Sequence, residues 1–148
     1  MIRELLSYRL HEVANLLSRG AELRYRREFG VSLWEWRTLA LLGGAGEPLS
    51  LKSLAQHAGI HKSQMSRVVS GLAKRKLVAR DANSQDARGV HLTLSKTGRK
   101  LYTGLIEAAS QRDRAFRGCL TRDEKQAFDS ALAKLAGQAR AFIQREKK

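Results

Sequence analysis

The residues between 62 and 76 combine two kinds of side chain at helical spacing. Apolar residues recur as one stripe, which predicts a helix from Lys62 to Lys76 that packs on a core. The stripe consists of Met65, Val68, Val69 and Leu72. The opposite face carries short hydroxyls, an amide and cations: Lys62, Ser63, Gln64, Ser66, Arg67 and Ser70. Such groups hydrogen-bond base edges in a major groove and the phosphates beside it. A solvated helix surface has a similar composition, so the neighbouring elements must decide.

A shorter helix is predicted immediately before this one. Ser50 can cap its start, and Leu49 and Leu54 flank the cap at the spacing of a hydrophobic staple. Gly59 ends the helix, because glycine enters the left-handed region without steric cost. Two helices joined by such a tight turn form a helix-turn-helix, which inserts its second helix into a major groove.

A cationic run closes the second helix. Lys74, Arg75 and Lys76 are predicted to meet phosphates or solvent. Contacts with phosphates add salt-dependent affinity and no sequence preference.

A β-hairpin is predicted next in the chain. Residues 77–81 and 90–94 have strand character, and residues 82–89 between them are small and polar. Arg88 is the only cation of this tip, and Asp86 is close enough in sequence to orient its guanidinium. Narrow A·T-rich minor grooves attract an inserted arginine, which predicts that contact for Arg88. An ordinary surface arginine is the alternative.

These segments together resemble the MarR family of winged-helix transcription regulators. The matching residues are His61 to Arg67, Lys76 to Val78, Asp86 to Arg88, and Val90 to Gly98. The resemblance implies double-stranded DNA as partner and a homodimer that binds a pseudo-palindromic operator. Its two recognition helices would then lie about one DNA turn apart, roughly 34–36 Å. The sequence departs from the family at His61, where a stronger helix cap such as Asp, Ser or Thr is common.

Further helices frame this region. The first is predicted from about Arg3 to Glu28. Another begins at Ser32, with Glu35 completing a capping box and Val31 stapling to Trp36, and it stops at Gly43. A third runs from about residue 95 to 117. A last helix runs to about residue 146, behind a capping box of Thr121 and Glu124.

The expected fold class is therefore mainly α with a small β-hairpin wing, in a single MarR-type domain over residues 1–148. Residues 32–98 form the winged helix-turn-helix lobe. Residues 1–30 and 100–148 form the helical dimerisation region.

Both terminal helices carry apolar stripes. The first has Leu6, Leu10, Val13, Leu17 and Ala21. The last has Phe128, Leu132, Leu135, Ala139 and Phe142 at alternating steps of four and three. A stripe of this kind seeks a partner helix. Packing within the same chain is one solution, and the resemblance implies the other, pairing across a two-fold axis.

Composition limits the classes of partner. The chain has 148 residues and a formal net charge of +14, which favours a polyanion such as nucleic acid. No apolar run approaches the ~20 residues of a membrane span, and no signal peptide is apparent. We therefore expect no membrane partner. A single cysteine, Cys119, fits a reducing cytoplasm, and a buried or inert thiol is expected there in preference to a redox sensor.

Neither a metal site nor an enzyme is expected. His57 and His61 have the spacing of a helical metal pair, but Gly59 breaks the helix between them. Phosphate loops, nucleophile elbows and paired-carboxylate sites are missing from the sequence. No cofactor is expected either.

A small effector is implied by the resemblance, because MarR-like proteins often hold an aromatic or anionic ligand between the dimerisation helices and the DNA-binding lobe. The aromatic, titratable and cationic candidates for such a pocket are Tyr8, His11, Trp34, Trp36 and Arg37. The alternative is that Trp36 belongs to the core and Arg37 to a structural ion pair.

The sequence thus predicts a cytoplasmic, homodimeric, sequence-specific regulator that represses transcription and is released by a ligand. One rival hypothesis is a non-specific architectural nucleic-acid-binding protein, which the net charge alone would permit. Another is an enzyme or protein-interaction module that uses the winged helix only as a scaffold.

Overall fold

The computed structural model describes residues 1–81 and 89–147, apart from the side chain of Asp81. The chain divides into two compact units, Met1–Ala109 and Ser110–Lys148, which are described separately. Asp86 and Arg88, with the rest of the predicted wing tip from 82 to 88, lie outside the described residues. The assignment of the termini to dimerisation and of residues 32–98 to DNA binding stays a prediction.

The first unit contains helices and a small antiparallel sheet. After a 3₁₀ turn at Ile2–Glu4, the helices are α1 (Leu6–Phe29), α2 (Leu33–Gly44), α3 (Leu51–Ala58), α4 (Lys62–Lys74) and the first part of α5 (Lys96–Arg117). The strands are β1 (Leu49–Ser50), β2 (Val78–Asp81) and β3 (His91–Leu94), in the order β1-β3-β2. This arrangement confirms a mainly α winged-helix fold.

The capping box and the hydrophobic staple predicted for α2 are both present. In α2 the Glu35 amide donates to Ser32 Oγ at 3.2 Å, and the Ser32 amide donates to Glu35 Oε1 at 2.9 Å. The flanking Val31 and Trp36 are both buried, as a staple requires. Helix α2 extends to Gly44, one residue beyond the predicted end.

Helix α4 ends two residues earlier than predicted. Lys76 has a φ of 58°, which takes the backbone out of the helix. The Leu77 amide then donates to the Leu72 carbonyl at 3.0 Å, the pattern of a Schellman motif. Leu72 and Leu77 are both buried, so core packing holds a lysine where glycine is the usual choice.

The sheet has one strand more than predicted. Besides the expected hairpin of β2 and β3, β1 pairs with β3, with Leu49 opposite Leu92 and Ser50 opposite His91. Ser50 also caps α3, because its Oγ accepts from the Ser53 amide at 3.0 Å. The wing is therefore joined to the start of the helix-turn-helix.

The core gathers side chains from every helix of the first unit. Fully buried apolar residues are Tyr25, Val31, Leu39, Leu54, Met65, Leu72 and Leu105. Thr38 is buried among them, and its Oγ1 donates to the Trp34 carbonyl at 2.7 Å. A Cβ added at Gly98 would overlap the carbonyl oxygen of Leu77, so α5 begins in close backbone contact with the wing.

The second unit consists of the end of α5 and α6 (Arg122–Glu146). The predicted Thr121 and Glu124 capping box is present, with bonds of 3.2 and 2.9 Å. Arg117 of α5 pairs with Asp113 on its own helix and with Asp129 on α6, each at 3.2 Å, and the second pair joins the two helices. Cys119 is exposed, so of the two expected alternatives, a buried or an inert thiol, the buried one is wrong. It lies in the short α5–α6 connection, where its Sγ donates to the Phe116 carbonyl.

Apolar side chains at both ends of the chain stay uncovered. On α1, Leu6, Leu10, Val13 and Leu17 are exposed, and only Ala21 of the predicted stripe is buried. On α6 the whole stripe from Phe128 to Phe142 is exposed. Among the described residues, no helix is long and apolar enough to cross a membrane.

Candidate nucleic-acid interface

Helix α4 has the two faces that the sequence predicted. Met65, Val69 and Leu72 are buried, and Val68 is half-buried. The polar residues are exposed except for Ser70, which is half-buried: Lys62, Ser63, Gln64, Ser66 and Arg67. Burial of the apolar stripe thus fixes the rotation of α4 and turns its donors and acceptors outward.

The turn before α4 sets its angle to α3. Gly59 has a φ of 70°, and the Ile60 amide donates back to the Ala55 carbonyl at 3.1 Å. Leu54 from α3 and Met65 from α4 are fully buried in the same core. The N-terminal end of α4 has no side-chain cap from His61, in agreement with the predicted weakness of that position.

The cations at the end of α4 differ in their contacts. Lys74 is exposed, as a phosphate contact requires. Arg75 is also exposed, and its Nη1 donates to Glu35 Oε2 at 2.9 Å. Partial burial alone raises the pKa of Glu35, but the hydrogen bonds from Ser32 and Arg75 outweigh burial and hold that pKa below its ordinary value. Arg75 is nevertheless exposed, so the prediction of a solvent contact is confirmed, and the ion pair with Glu35 is an additional contact that was not predicted.

A cavity of about 510 Å³ opens beside α4, at the base of the wing. Its polar lining comes from five elements, β1, α3, α4, β2 and β3: Ser50, Lys52, Lys62, Ser66, Arg80 and His91. Lys62 and Ser66 were predicted as DNA-binding residues from the sequence, whereas Lys52, Arg80 and His91 were not. These three are far apart in the chain, and only the pairing of β1 and β2 with β3 brings them together.

The predicted effector residues do not all lie together: Trp36 and Arg37 line one cavity, and Tyr8 and His11 do not. Arg37 Nη2 donates to Ser18 Oγ at 3.0 Å, and its guanidinium carbon lies 4.9 Å from the centroid of the Trp34 ring. Trp36 packs on Tyr25 with a centroid distance of 5.0 Å, so it belongs to the core. Within residues 1–81 and 89–147, Arg37 therefore has a hydroxyl and a ring as partners and no carboxylate, so the alternative of a structural ion pair was wrong.

A second cavity, of about 360 Å³, lies next to Arg37. It is lined by Trp36, Arg37, Ala40, Leu41, His57 and Ala58. His57 lines this cavity, although its spacing from His61 in the sequence suggested only a metal pair. Tyr8 is half-buried and His11 bonds to Asn15, and neither lines this cavity. Tyr8 lies about 15 Å along α1 from Ser18, given a rise of 1.5 Å per residue.

Metal ligands do not cluster in the described part of the chain. No group of three or more His, Cys, Asp or Glu side chains is placed to hold an ion there. His57 Nδ1 lies 3.4 Å from Ser53 Oγ on its own helix.

Comparisons with known proteins agree with this geometry. A sequence model of the MarR family matches residues 29–89, which include α2, the helix-turn-helix and the first wing strand, β2. The HTH-type transcriptional regulator FarR of Neisseria gonorrhoeae is 33% identical over 102 residues, or 69% of each chain. The chain belongs to the MarR family. It is accordingly a transcriptional regulator and not an enzyme.

Solved MarR-type structures share the fold. Staphylococcus aureus MepR, in a complex with DNA, superposes with a TM-score of 0.79 at 18% identity, covering 91% of this chain and 96% of MepR. NadR, in complex with 4-hydroxyphenylacetate, gives a TM-score of 0.78 at 25% identity, covering 93% of this chain and 99% of NadR.

Proposed function

We propose that this MarR-family regulator binds double-stranded DNA sequence-specifically as a homodimer. The observation that carries the proposal is the exposed polar face of α4 above a fully buried Met65 and Leu72. A helix anchored in this way keeps its reading side chains at fixed positions, which base recognition requires. The MepR structure contains DNA, and it has the same fold.

The site residues have distinct proposed roles. Ser63, Gln64, Ser66, Ser70 and Arg67 read base edges in the major groove. Lys62 and Lys74 contact phosphates, which adds affinity without sequence preference. Arg88 enters the minor groove beside the half-site, with Asp86 orienting it, as the sequence predicts.

Dimerisation is proposed from the uncovered terminal stripes. Leu6, Val13 and Leu17 on α1, and Phe128, Leu132 and Phe142 on α6, expose apolar surface of the kind that protein–protein interfaces bury. A second copy of the chain is the occupant, because a two-fold pair of recognition helices matches a pseudo-palindromic operator.

Regulation is proposed to be repression that a small ligand relieves, within the cytoplasm. Arg37 beside Trp34, with the adjacent cavity, offers a cation and aromatic surface to an aromatic or anionic molecule. NadR was crystallised with 4-hydroxyphenylacetate, an aromatic acid. Release follows if the ligand favours a dimer whose recognition helices no longer fit successive major grooves.

Selection of duplexes from a random library tests DNA recognition. We expect a pseudo-palindromic consensus bound at least 10³-fold more tightly than random DNA at the same salt concentration. A preference of about tenfold or less would favour the architectural binder. Absence of DNA binding even at low salt would favour the scaffold hypothesis. The selected site then serves in a screen for ligands that release it.

A further inference from the structure

The cavity at the base of the wing collects positive charge from three elements. Lys52 comes from the first turn of α3, Lys62 from the start of α4, and Arg80 from β2. The described residues that line the cavity include no carboxylate. Like charges that face one cavity repel one another, and an anion bound there would relieve that repulsion.

The remaining polar groups of the cavity suit an oxyanion. Ser66 lies one helical turn after Lys62, and such residues share a face of an α-helix. Ser50 is the N-cap of α3, so the cavity lies beside the N-terminal end of that helix. The backbone amides of the first turn of a helix favour a negative charge. Hydroxyls, amides and cations together form a set of donors with capacity for several oxygens of one phosphate.

His91 adds an unused hydrogen-bonding group. Its Nδ1 is buried and has no hydrogen-bond partner within the described residues. Unpartnered buried polar atoms are rare in folded proteins and need a reason. Protonated at Nδ1, the imidazole would have a free donor for an acceptor that enters the cavity.

We propose that this cavity binds one phosphate of the DNA backbone, held by Lys52, Lys62 and Arg80 with His91 as a further donor. The proposal rests on the proposed function and extends its interface from α4 to α3 and the wing strands. A backbone phosphate is preferred to a free anion because Lys62 and Ser66 belong to the same exposed face of α4 as Arg67. A phosphate in the cavity would fix the register of that face on the duplex.

Affinity measurements at several salt concentrations provide the first test, with the full chain and its selected duplex. Lys52→Gln and Arg80→Gln should each weaken binding about 10-fold. Each should also reduce the slope of log affinity against log salt concentration by about one for each occupied cavity. The matched controls are Lys100→Gln and Arg99→Gln, exposed cations of α5 that do not line the cavity. His91→Leu should weaken binding at every salt concentration, whereas His91→Gln, which keeps a donor, should restore part of the loss. Melting temperatures establish that each variant is folded.

Duplexes with one neutral methylphosphonate at a time identify the phosphate. The wild-type protein should lose affinity at one phosphate position per half-site more than at its neighbours. Lys52→Gln and Arg80→Gln should lose their sensitivity to that position alone, while Lys100→Gln should keep it. An equal penalty at that position in all the proteins would overturn the proposal.

Two further results separate this inference from the proposed function. If the wild-type protein selects no DNA site, the proposed function fails and the cavity proposal fails with it. If the wild-type protein selects a site but the cavity variants bind it like their controls, only the cavity proposal is overturned. Micromolar binding of inorganic phosphate without DNA, abolished by Arg80→Gln, would assign the cavity to a small anion and also overturn it.

Discussion

Arg75 Nη1 donates to Glu35 Oε2 at 2.9 Å, so the residue that ends α4 is ion-paired with the residue that completes the capping box of α2. Glu35 therefore contacts both the start of α2 and the end of α4. The side chains of Arg75 and Glu35 are 41% and 21% exposed, so the pair is screened only in part.

Removing Arg75 should therefore cost modest stability. Arg75→Gln is expected to lower the free energy of unfolding by about 0.5–1 kcal/mol at neutral pH, as for other partly exposed ion pairs. Urea unfolding measures the change. Lys74→Gln is the matched control, because it removes the same charge from a neighbouring exposed residue. Equal losses in the two variants would mean that net charge, and not the ion pair, is responsible.

The pH dependence of the same variant has a defined sign. The pKa of Glu35 is lowered in the folded protein, so its contribution to stability is present above the ordinary glutamate pKa of about 4.3 and is lost as pH falls through the lowered value. The stability difference between wild type and Arg75→Gln should consequently narrow below about pH 4. Unfolding midpoints from pH 3 to 7 check this, and a difference that widens in acid would contradict it.

Arg67 is expected to set preference at one position of each half-site. Arg67→Ala should weaken binding by about 1–3 kcal/mol if the guanidinium makes a bidentate base contact, and should relax preference at that position. Its melting temperature should stay close to wild type, because Arg67 is exposed. Arg99→Ala, on α5, is the control. An unchanged preference profile in Arg67→Ala would remove this residue from the reading face.

Arg88 lies outside the described residues, and its role is tested through the flanks of the operator. Arg88→Ala should weaken binding most on A·T-rich flanks and leave the preference of the half-site core intact. Operators that differ only in their flanks measure the effect. Equal binding of all flanks by wild type and variant would rule out the minor-groove contact.

Two glycines should respond to alanine in opposite directions. Gly98→Ala places a methyl group against the carbonyl oxygen of Leu77, and overpacking against backbone should destabilise the fold by about 1–3 kcal/mol. Gly71, inside α4, has open space around the same position, so Gly71→Ala should stabilise by about 0.5–1 kcal/mol through helix propensity. Thermal unfolding compares the two, and destabilisation by both would contradict the packing described for Gly71.

The apolar stripe of α6 is expected to hold the dimer. Leu132→Lys should shift the chain from dimer to monomer at micromolar concentration and weaken operator binding, because it places a charge in an interface core. Ser130→Lys adds the same charge about 160° away around the helix and should remain dimeric. Sedimentation distinguishes the two states. A wild-type chain that sediments as a monomer would refute the dimer itself.

Sequence reasoning succeeded where the determinants were local. The boxes of Ser32 with Glu35 and of Thr121 with Glu124 each span a single helical turn, so they could be recognised without knowing the fold. The end of α4 was predicted two residues too late, because lysine is a good helix former and nothing at Lys76 indicates a stop. The helix ends before Lys76 because Leu77 is buried in the core, which helical periodicity does not report.

Features that join distant segments could not be predicted in this way. Arg75 is forty positions from Glu35 in the chain, and nothing in either neighbourhood announces the pair. Strand β1 has two residues, too few for an alternating pattern, although it brings Ser50 beside His91. Lys52, Arg80 and His91 of the cavity at the wing base went unrecognised because that pairing brings them beside Lys62 and Ser66.

Ser50 is both the strand partner of His91 and the cap of α3, and this double role limits how the wing can be engineered. A hairpin of residues 77–94 transplanted onto another helix-turn-helix would arrive with one edge of β3 unpaired. Exposed strand edges recruit other chains, so such a chimera would tend to aggregate. The smallest portable unit is therefore residues 49–94, which carries its own third strand and the helix that this strand begins.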